Sequence, residues 1–325
     1  MKILGIGNAL VDVLTQINDD SLLTKFQLPK GSMTLVDKAL SDIIYTYTSS
    51  LPKLMSSGGC AANTIHGLSH LGVATSYIGK IGSDELGEFF KEDMQVNKIN
   101  PILYNSLSDT GRAMALISPD SERTFATYLG AASELSSDDL TSEIFNGYQY
   151  VYLEGYLVYN TSLIEKALKL AKHAGSKQCL DLSSYNIVEN HRSFLLSVIR
   201  EYVDIVFANE EEARALTGKD PDEAVDMISE LCDIAVVKTG AHGSIIKSGN
   251  NKLKIDAFPS VVKDTTGAGD LYASGFLYGQ YKGLSLEKSG KIGSLLASKV
   301  IEIIGAKMND SSWQQIINEV KKIEN

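Results

Sequence analysis

The segment Asp264–Asp270, with the sequence DTTGAGD, contains the residue types and spacing that phosphoryl transfer requires of a protein. Gly267 and Gly269 allow successive N–H groups to turn toward one point, where a following helix adds positive potential. Asp270 falls in the first turn of the helical pattern, aimed at the same point. The alternative is an acidic residue that only caps its own helix, but a cap needs no Gly-Ala-Gly before it. The segment therefore predicts a phosphate-binding turn with an adjacent carboxylate.

Two polar residues follow the first apolar run of the chain. Asn8 and Asp12 suit the recognition of hydroxyl groups, because a carboxylate accepts two hydrogen bonds from a diol. Turn chemistry after a strand explains the same two residues equally well. Gly5-Ile6-Gly7 begins like a dinucleotide-binding fingerprint, but the third glycine is missing and Asp12 would bring negative charge toward a pyrophosphate.

Two further motifs open helical patterns. Gly58-Gly59-Cys60-Ala61-Ala62-Asn63 permits close approach of a ligand to the backbone, with Asn63 able to touch it, although an ordinary glycine-rich loop has the same composition. Asn209-Glu210-Glu211-Glu212 is a capping box, and the same residues can position water around Mg²⁺ at the end of a strand. Both interpretations of the second motif can hold together.

The composition excludes several classes of protein. The chain has 325 residues, of which 44% are hydrophobic and 22% charged, as expected for a globular protein with a sizeable core. A net charge of -10 argues against nucleic acid as a partner. No uncharged apolar stretch approaches the roughly 20 residues of a membrane helix. Three widely separated cysteines indicate neither disulfides nor zinc, so we expect a cytoplasmic protein.

The order of elements predicts an α/β fold. Apolar runs such as residues 2–7, 150–153, 178–182 and 234–238 read as strands, and amphipathic stretches such as 162–174 and 224–232 read as helices between them. This alternation predicts a doubly wound, mainly parallel sheet with helices on both faces. Residues 10–36 and 101–128 break the rhythm, and we expect them to form one small β-rich insertion. No linker divides residues 1–325, which predicts a single domain.

Together, the motifs Gly58-Gly59-x-Ala-x-Asn63, Asn209-x-x-Glu212 and Asp264–Asp270 resemble those of the PfkB (ribokinase-like) sugar and nucleoside kinases. They occur in the order of that family and at its usual separations, across essentially the whole chain. The resemblance implies a ribokinase-like α/β domain with a small β-sheet lid. It also implies ATP-dependent phosphorylation of a hydroxymethyl group, with ATP and Mg²⁺ as cofactors.

The resemblance also assigns residues to the reaction. It implies Asp270 as the base, an anion hole formed by Gly267, Ala268 and Gly269, and Arg123 as a lid residue that meets the phosphates on closure. It implies further that Asn209 and Glu212 belong to the Mg²⁺–phosphate network, and that Thr239, Gly240 and Gly243 line the nucleotide. Asp264, Thr266 and Gly305 match the region where many members hold K⁺.

Within the family, Gly7-Asn8-x-Leu10-x-Asp12 is most similar to the adenosine kinase branch. This likeness implies transfer to the 5′-hydroxyl of a purine nucleoside, adenosine, with Asp12 and Asn63 on the ribose hydroxyls and Leu10 and Tyr156 beside the base. Asn8, Gly58 and Gly59 complete the implied substrate site. Such kinases often place an aromatic residue where this chain has Asn186, so a sugar kinase of the ribokinase or fructokinase type is the alternative. The implied assembly is a monomer or a lid-mediated homodimer.

Overall fold

The computed structural model describes residues 2–120 and 122–325. Its strands are β1 Lys2–Ile6, β2 Leu10–Gln16, β3 Met33–Leu35, β4 Lys53–Gly58, β5 Thr75–Gly82, β6 Ile99–Ser106, β7 Gly111–Ile117, β8 Arg123–Tyr128, β9 Tyr148–Glu154, β10 Lys177–Asp181, β11 Ile205–Asn209, β12 Ile234–Lys238, β13 Ser244–Ser248 and β14 Asn251–Ile255. Its α-helices are α1 Ser21–Lys25, α2 Lys38–Tyr47, α3 Cys60–His70, α4 Glu85–Val96, α5 Thr161–His173, α6 Tyr185–Tyr202, α7 Glu210–Thr217, α8 Pro221–Ser229, α9 Ala268–Tyr281, α10 Leu286–Val300 and α11 Asp310–Glu324.

Nine of these strands form one large sheet in the order β14-β13-β12-β11-β10-β9-β1-β5-β6. The strands from β12 to β6 are parallel, and β13 and β14 add an antiparallel hairpin at one edge. Because neighbouring residues of a strand face opposite sides, Ile3 belongs to the core on the side of α3, α9 and α10, whereas Leu4 belongs to the core on the side of α5 to α8. The predicted doubly wound α/β architecture is confirmed.

A second, five-stranded sheet has the order β3-β8-β7-β2-β4. It takes residues from both predicted insertion segments, but its composition differs from the prediction in two respects. β4 lies outside the predicted ranges, and β6, at the start of the predicted 101–128 segment, pairs with β5 in the large sheet. Residue pattern alone does not distinguish these partners, because an apolar β-rich run fits either sheet.

The chain reverses direction across the large sheet between β1 and β9. The chain proceeds from β1 to β5 on one side, and from β9 to β10 on the other. In open α/β sheets this switch point leaves a crevice at the carboxyl ends of the strands, where ligands bind. Asn8 lies two residues after the end of β1, and Glu154 is the last residue of β9.

Among the helices in the described part of the chain, none combines the length and the hydropathy needed to span a bilayer.

Candidate active site

A cleft of about 1000 Å³ lies between the switch point of the large sheet and the small sheet. Nine residues predicted from the sequence line it: Asn8, Leu10, Asp12, Gly59, Asn63, Tyr156, Thr266, Gly267 and Asp270. They come from segments that are far apart in the chain, and the fold brings them to one place. Gly58 lies directly behind the cleft, where any side chain would stand within 2.5 Å of an Asp12 carboxylate oxygen.

Asp270 occupies the first turn of α9, at the floor of the cleft. Its Oδ2 accepts a hydrogen bond of 2.9 Å from Nδ2 of Asn63, on α3. Burial raises the pKa of Asp270 to about 6, while the Asn63 hydrogen bond and the Lys238 ammonium act in the opposite direction. At neutral pH the carboxylate is therefore ionised and more basic than an exposed aspartate, which suits a general base.

Polar groups with spare hydrogen-bonding capacity lie beside Asp270. Within the described residues, Oδ1 of Asn63 is buried without a hydrogen-bond partner. Asp12 projects from β2 on the same side of the cleft, and burial raises the pKa of its carboxyl group to about 6. A buried acceptor without a partner costs free energy, so the Asn63 oxygen is suited to receive a ligand hydroxyl. The Asp12 carboxylate lines the same cleft and can accept hydrogen bonds from hydroxyl groups.

Glu154 is a site residue that sequence reasoning missed. It is almost fully buried, and its Oε1 accepts hydrogen bonds from N and Nδ2 of Asn8 at 3.0 and 2.7 Å. Its Oε2 accepts from N of Ala61 at 2.9 Å. The Glu154 carboxylate thus links β9 by hydrogen bonds to the segment after β1 and to the first turn of α3. The only sequence signal was a glutamate at the end of an apolar strand.

The turn before α9 leaves backbone donors free. Gly267 has the positive φ of 78° that favours glycine, and a side chain there would meet Cβ of Ala306 at 2.7 Å. The Ala268 N–H bonds to the Thr265 carbonyl at 3.2 Å. Within the described residues, the N–H groups of Gly267, Gly269 and Asp270 have no acceptor. Free N–H groups at a helix N-terminus are suited to hold an anion.

Arg123 reaches from the small sheet to the segment that precedes this turn. Its guanidinium lies 2.7 Å from Oδ2 of Asp264 and 3.1 Å from Oγ1 of Thr266. Asp264 also accepts from N and Oγ1 of Thr266 and from N of Gly305. Asp264, Thr266 and Gly305, the residues of the predicted K⁺ site, therefore lie together. They do not fit a potassium ion on the Asp264 carboxylate, because an arginine and N–H donors already occupy its oxygens.

The residues predicted to contact the nucleotide form a second group outside the cleft, at the ends of β11 and β12. Asn209 and Glu212 form the capping box of α7, with three hydrogen bonds of 2.8 Å between them. Thr239 donates from its N–H to the Gly243 carbonyl at 2.8 Å, and the Gly243 N–H bonds to Gly240. The capping prediction for Asn209 and Glu212 is confirmed.

The side-chain oxygens of Asn209 and Glu212 already accept hydrogen bonds within the capping box, so these residues offer a magnesium ion contacts through water and not direct ligation. Glu212 is buried, and its pKa is raised to about 7 mainly by burial. Among the described residues, no group of three or more acidic, histidine or cysteine side chains is arranged to bind a metal directly. A carboxylate and an amide at a strand end are suitable ligands for the water shell of Mg²⁺, which retains several waters.

Part of the cleft lining is apolar or aromatic. Tyr156, which was predicted to flank a base, lines the cleft, as does Leu10 of β2. Phe125 of β8, Leu135 and Ile187 add hydrophobic surface that sequence reasoning did not assign. Asn186, where an aromatic residue was expected, also lines the cleft. The lining therefore includes an aromatic ring, Phe125, from the small sheet as well as Tyr156.

Comparison with known proteins matches residues 54–312 to the family described as pfkB family carbohydrate kinase. The chain belongs to this family. Its members transfer a phosphoryl group to an alcohol hydroxyl of a nucleoside or a sugar, so the protein is a phosphotransferase of that kind. The use of ATP follows from membership of the family.

Similar proteins include both nucleoside and sugar kinases. The structure of adenosine kinase from Sinorhizobium meliloti is 35% identical with a TM-score of 0.88, covering 98% of this chain and 99% of that one. The structure of a probable sugar kinase from Rhizobium etli is 34% identical with a TM-score of 0.88, covering 98% of both chains. A nucleoside kinase from Methanothermobacter thermautotrophicus is 30% identical, covering 78% of this chain and 80% of that protein.

Proposed function

We propose that this family member is an ATP- and Mg²⁺-dependent kinase that transfers the γ-phosphoryl group to the 5′-hydroxyl of a purine nucleoside, adenosine. The observation that carries the proposal is the mixed lining of the cleft, in which the polar residues Asp12, Asn63 and Asp270 are accompanied by apolar and aromatic side chains. A free sugar uses the polar groups, whereas a nucleoside also presents a base to the apolar and aromatic ones. The 35% identity to an adenosine kinase over nearly the whole chain supports the same choice.

The reaction places each group in a definite role. Asp12 and the free Asn63 oxygen accept hydrogen bonds from the ribose hydroxyls, which positions the 5′-hydroxyl beside Asp270. Asp270 accepts the hydroxyl proton as the oxygen attacks the γ-phosphorus, and the bond from that phosphorus to the β–γ bridging oxygen breaks. Transfer of this kind depends mainly on positioning and charge stabilisation, which the free N–H groups of the turn supply.

Several residues support this chemistry without touching the acceptor. Asn8 and Glu154 hold Gly59 and α3 against the sugar, while Asn209, Glu212, Thr239, Gly240 and Gly243 form the nucleotide side. Mg²⁺, held through water near Asn209 and Glu212, would neutralise phosphate charge. Arg123 of the small sheet approaches the phosphates when the cleft closes, so the small sheet acts as a lid within one domain.

The test is a coupled assay of ADP release with adenosine, guanosine, ribose and fructose as acceptors. We expect the highest kcat/KM with adenosine. Converting Asp270 to Asn should lower kcat by about 100-fold or more, since general-base catalysis contributes roughly 10²–10⁴, while adenosine binding measured by calorimetry changes little.

Preference for ribose or fructose would replace adenosine with a sugar as the acceptor, the alternative supported by the probable sugar kinase structure. Undiminished turnover by the Asp270→Asn enzyme would remove Asp270 from the mechanism.

A further inference from the structure

Lys238 is the last residue of β12 and stands immediately beside the glycine turn. Its side chain is only 14% exposed, and Nζ lies 2.9 Å from Oδ2 of Asp181 at the end of β10. The same Nζ lies 3.0 Å from the point that a Cβ of Gly269 would occupy. The ammonium therefore lies beside Gly269 in the first turn of α9, and its charge also acts on the Asp270 carboxyl group.

The charges around Lys238 keep it protonated. Burial disfavours the ammonium form, but the carboxylates of Asp181 and Glu212 outweigh burial and hold the pKa of Lys238 above its ordinary value. An ammonium has three N–H donors. Within the described residues, Asp181 provides the side-chain acceptor for one of them. Donors therefore remain for an anion placed at the turn.

The other partners of Asp181 indicate that Lys238 does more than neutralise this carboxylate. Asp181 accepts additional hydrogen bonds from the Ser183 N–H at 3.0 Å and the Tyr152 hydroxyl at 3.3 Å. Its negative charge is therefore supported even without the lysine. A neutral hydrogen-bond donor in place of Lys238 would satisfy Asp181 at a lower desolvation cost. A buried ion pair seldom adds net stability, so stability alone does not explain the lysine.

We propose that Lys238 is a catalytic residue, whose ammonium binds the transferring phosphoryl group together with the N–H groups of Gly269 and Asp270. The 5′-oxygen forms its bond to the γ-phosphorus, the bridging oxygen leaves with ADP, and the hydroxyl proton goes to Asp270. Lys238 keeps all of its protons and offsets the charge on the oxygens. The inference rests on phosphoryl transfer at the proposed site and not on which acceptor is used.

The experiment compares Lys238→Met, Lys238→Arg and the double variant Lys238→Met/Asp181→Asn, assayed with the best acceptor found for the wild-type enzyme. The control is Lys247→Met, because Lys247 lies on the neighbouring strand β13, is 21% exposed and pairs with Asp226 at 2.7 Å. We expect Lys238→Met to lower kcat by about 100-fold, as removal of an oxyanion-hole donor does, with the acceptor KM changed by less than about threefold.

The double variant separates catalysis from structure. If Lys238 stabilises the phosphoryl group, the double variant recovers the Tm lost in Lys238→Met but stays about 100-fold slow, and Lys238→Arg retains more activity than Lys238→Met. If Lys238 only neutralises Asp181, the double variant recovers kcat as well, and the proposal is overturned. If the Lys238→Met enzyme does not fold, the double variant and Lys238→Arg decide between the two explanations. A double variant with the kcat of the wild-type enzyme would then overturn the proposal.

Failure of the adenosine proposal has a different signature. It appears as a wild-type preference for another acceptor, and the comparison of Lys238 variants is then made with that acceptor.

Discussion

At the scale of single residues, the site depends on carboxylates that burial makes more basic. Asp270 and Asp12 both have a pKa raised to about 6, and burial is the principal cause for each. Their positions differ, since Asp270 lies in the first turn of a helix and Asp12 lies on a strand of the small sheet. In the proposed reaction, the ionised Asp270 accepts the hydroxyl proton and the ionised Asp12 accepts hydrogen bonds from the ribose.

The raised pKa of Asp270 predicts that kcat falls at acidic pH. Below about pH 6, kcat should fall about tenfold per pH unit, because protonation removes the base. The pH profile of kcat under saturating acceptor measures this fall. In the Asp12→Asn enzyme, the fall in kcat at acidic pH should still be centred near pH 6. If this fall disappears in the Asp12→Asn enzyme, it results from protonation of Asp12 and not of Asp270.

The same pKa has a consequence for stability. The folded-state pKa lies above the ordinary value, so the folded protein binds this proton more tightly than the unfolded chain does. The contribution of Asp270 to stability therefore declines as the pH rises from about 4 through 6. The Asp270→Asn enzyme should accordingly have a higher Tm than wild type at pH 8, with a smaller difference at pH 4.

At the scale of elements, the turn that starts α9 combines two constraints at Gly267. Its φ of 78° disfavours any other residue, and a Cβ would come within 2.7 Å of Ala306. Gly283, just after the same helix, has a φ of 71° but open space around its Cβ position. Comparison of the two positions therefore separates the cost of backbone strain, which is present at both, from the cost of the collision, which is present at Gly267.

Replacement of each glycine by alanine tests this difference. Gly283→Ala should cost about 1–2 kcal/mol, the penalty of the left-handed conformation, and leave kcat unchanged. Gly267→Ala should cost more and lower kcat at least about tenfold, because displacement of the turn moves the N–H donors by which the site stabilises charge. Urea unfolding and steady-state kinetics measure the two effects, and equal losses in both variants would contradict the collision with Ala306.

At the scale of the whole molecule, one buried ion pair connects the small sheet to the segment that carries the catalytic turn. Arg123 is 8% exposed in its side chain and Asp264 is 7% exposed. Another arginine of the small sheet, Arg112, bonds instead to Ser41 and Asp42 on α2, which packs on the same sheet. Arg112 therefore serves as a matched control whose contacts do not cross the cleft.

Loss of the crossing contact should loosen closure of the cleft. In Arg123→Met, Asp264 loses its charged partner, and we expect the nucleoside to dissociate at least about tenfold faster, since breaking a buried pair is strongly destabilising. Arg112→Met should weaken the small sheet without this acceleration. Stopped-flow dissociation and hydrogen exchange of β2, β7 and β8 provide the measurements. A comparable acceleration in both variants would show that general weakening of the small sheet is responsible.

Features encoded over a few neighbouring residues were predictable from the sequence. The glycine turn before α9, the capping box of α7 and the glycine start of α3 depend on local backbone preferences. Strands such as β12 and helices such as α5 follow from the period of their apolar residues. These local signals also sufficed for the resemblance to the PfkB kinases, since each motif carries its own geometry.

Tertiary structure alone decided the remaining parts of the site. Glu154 meets Asn8 across 146 residues of chain, and Lys238 meets Asp181 across 57. β4 joins the small sheet through pairing with β2, although its own sequence fits either sheet. The chemistry of these groups arises from burial and from partners that distant segments bring into contact. A local pattern contains no information about such partners. The sequence therefore indicated the type of reaction, whereas only the tertiary structure decided the environment of the candidate residues.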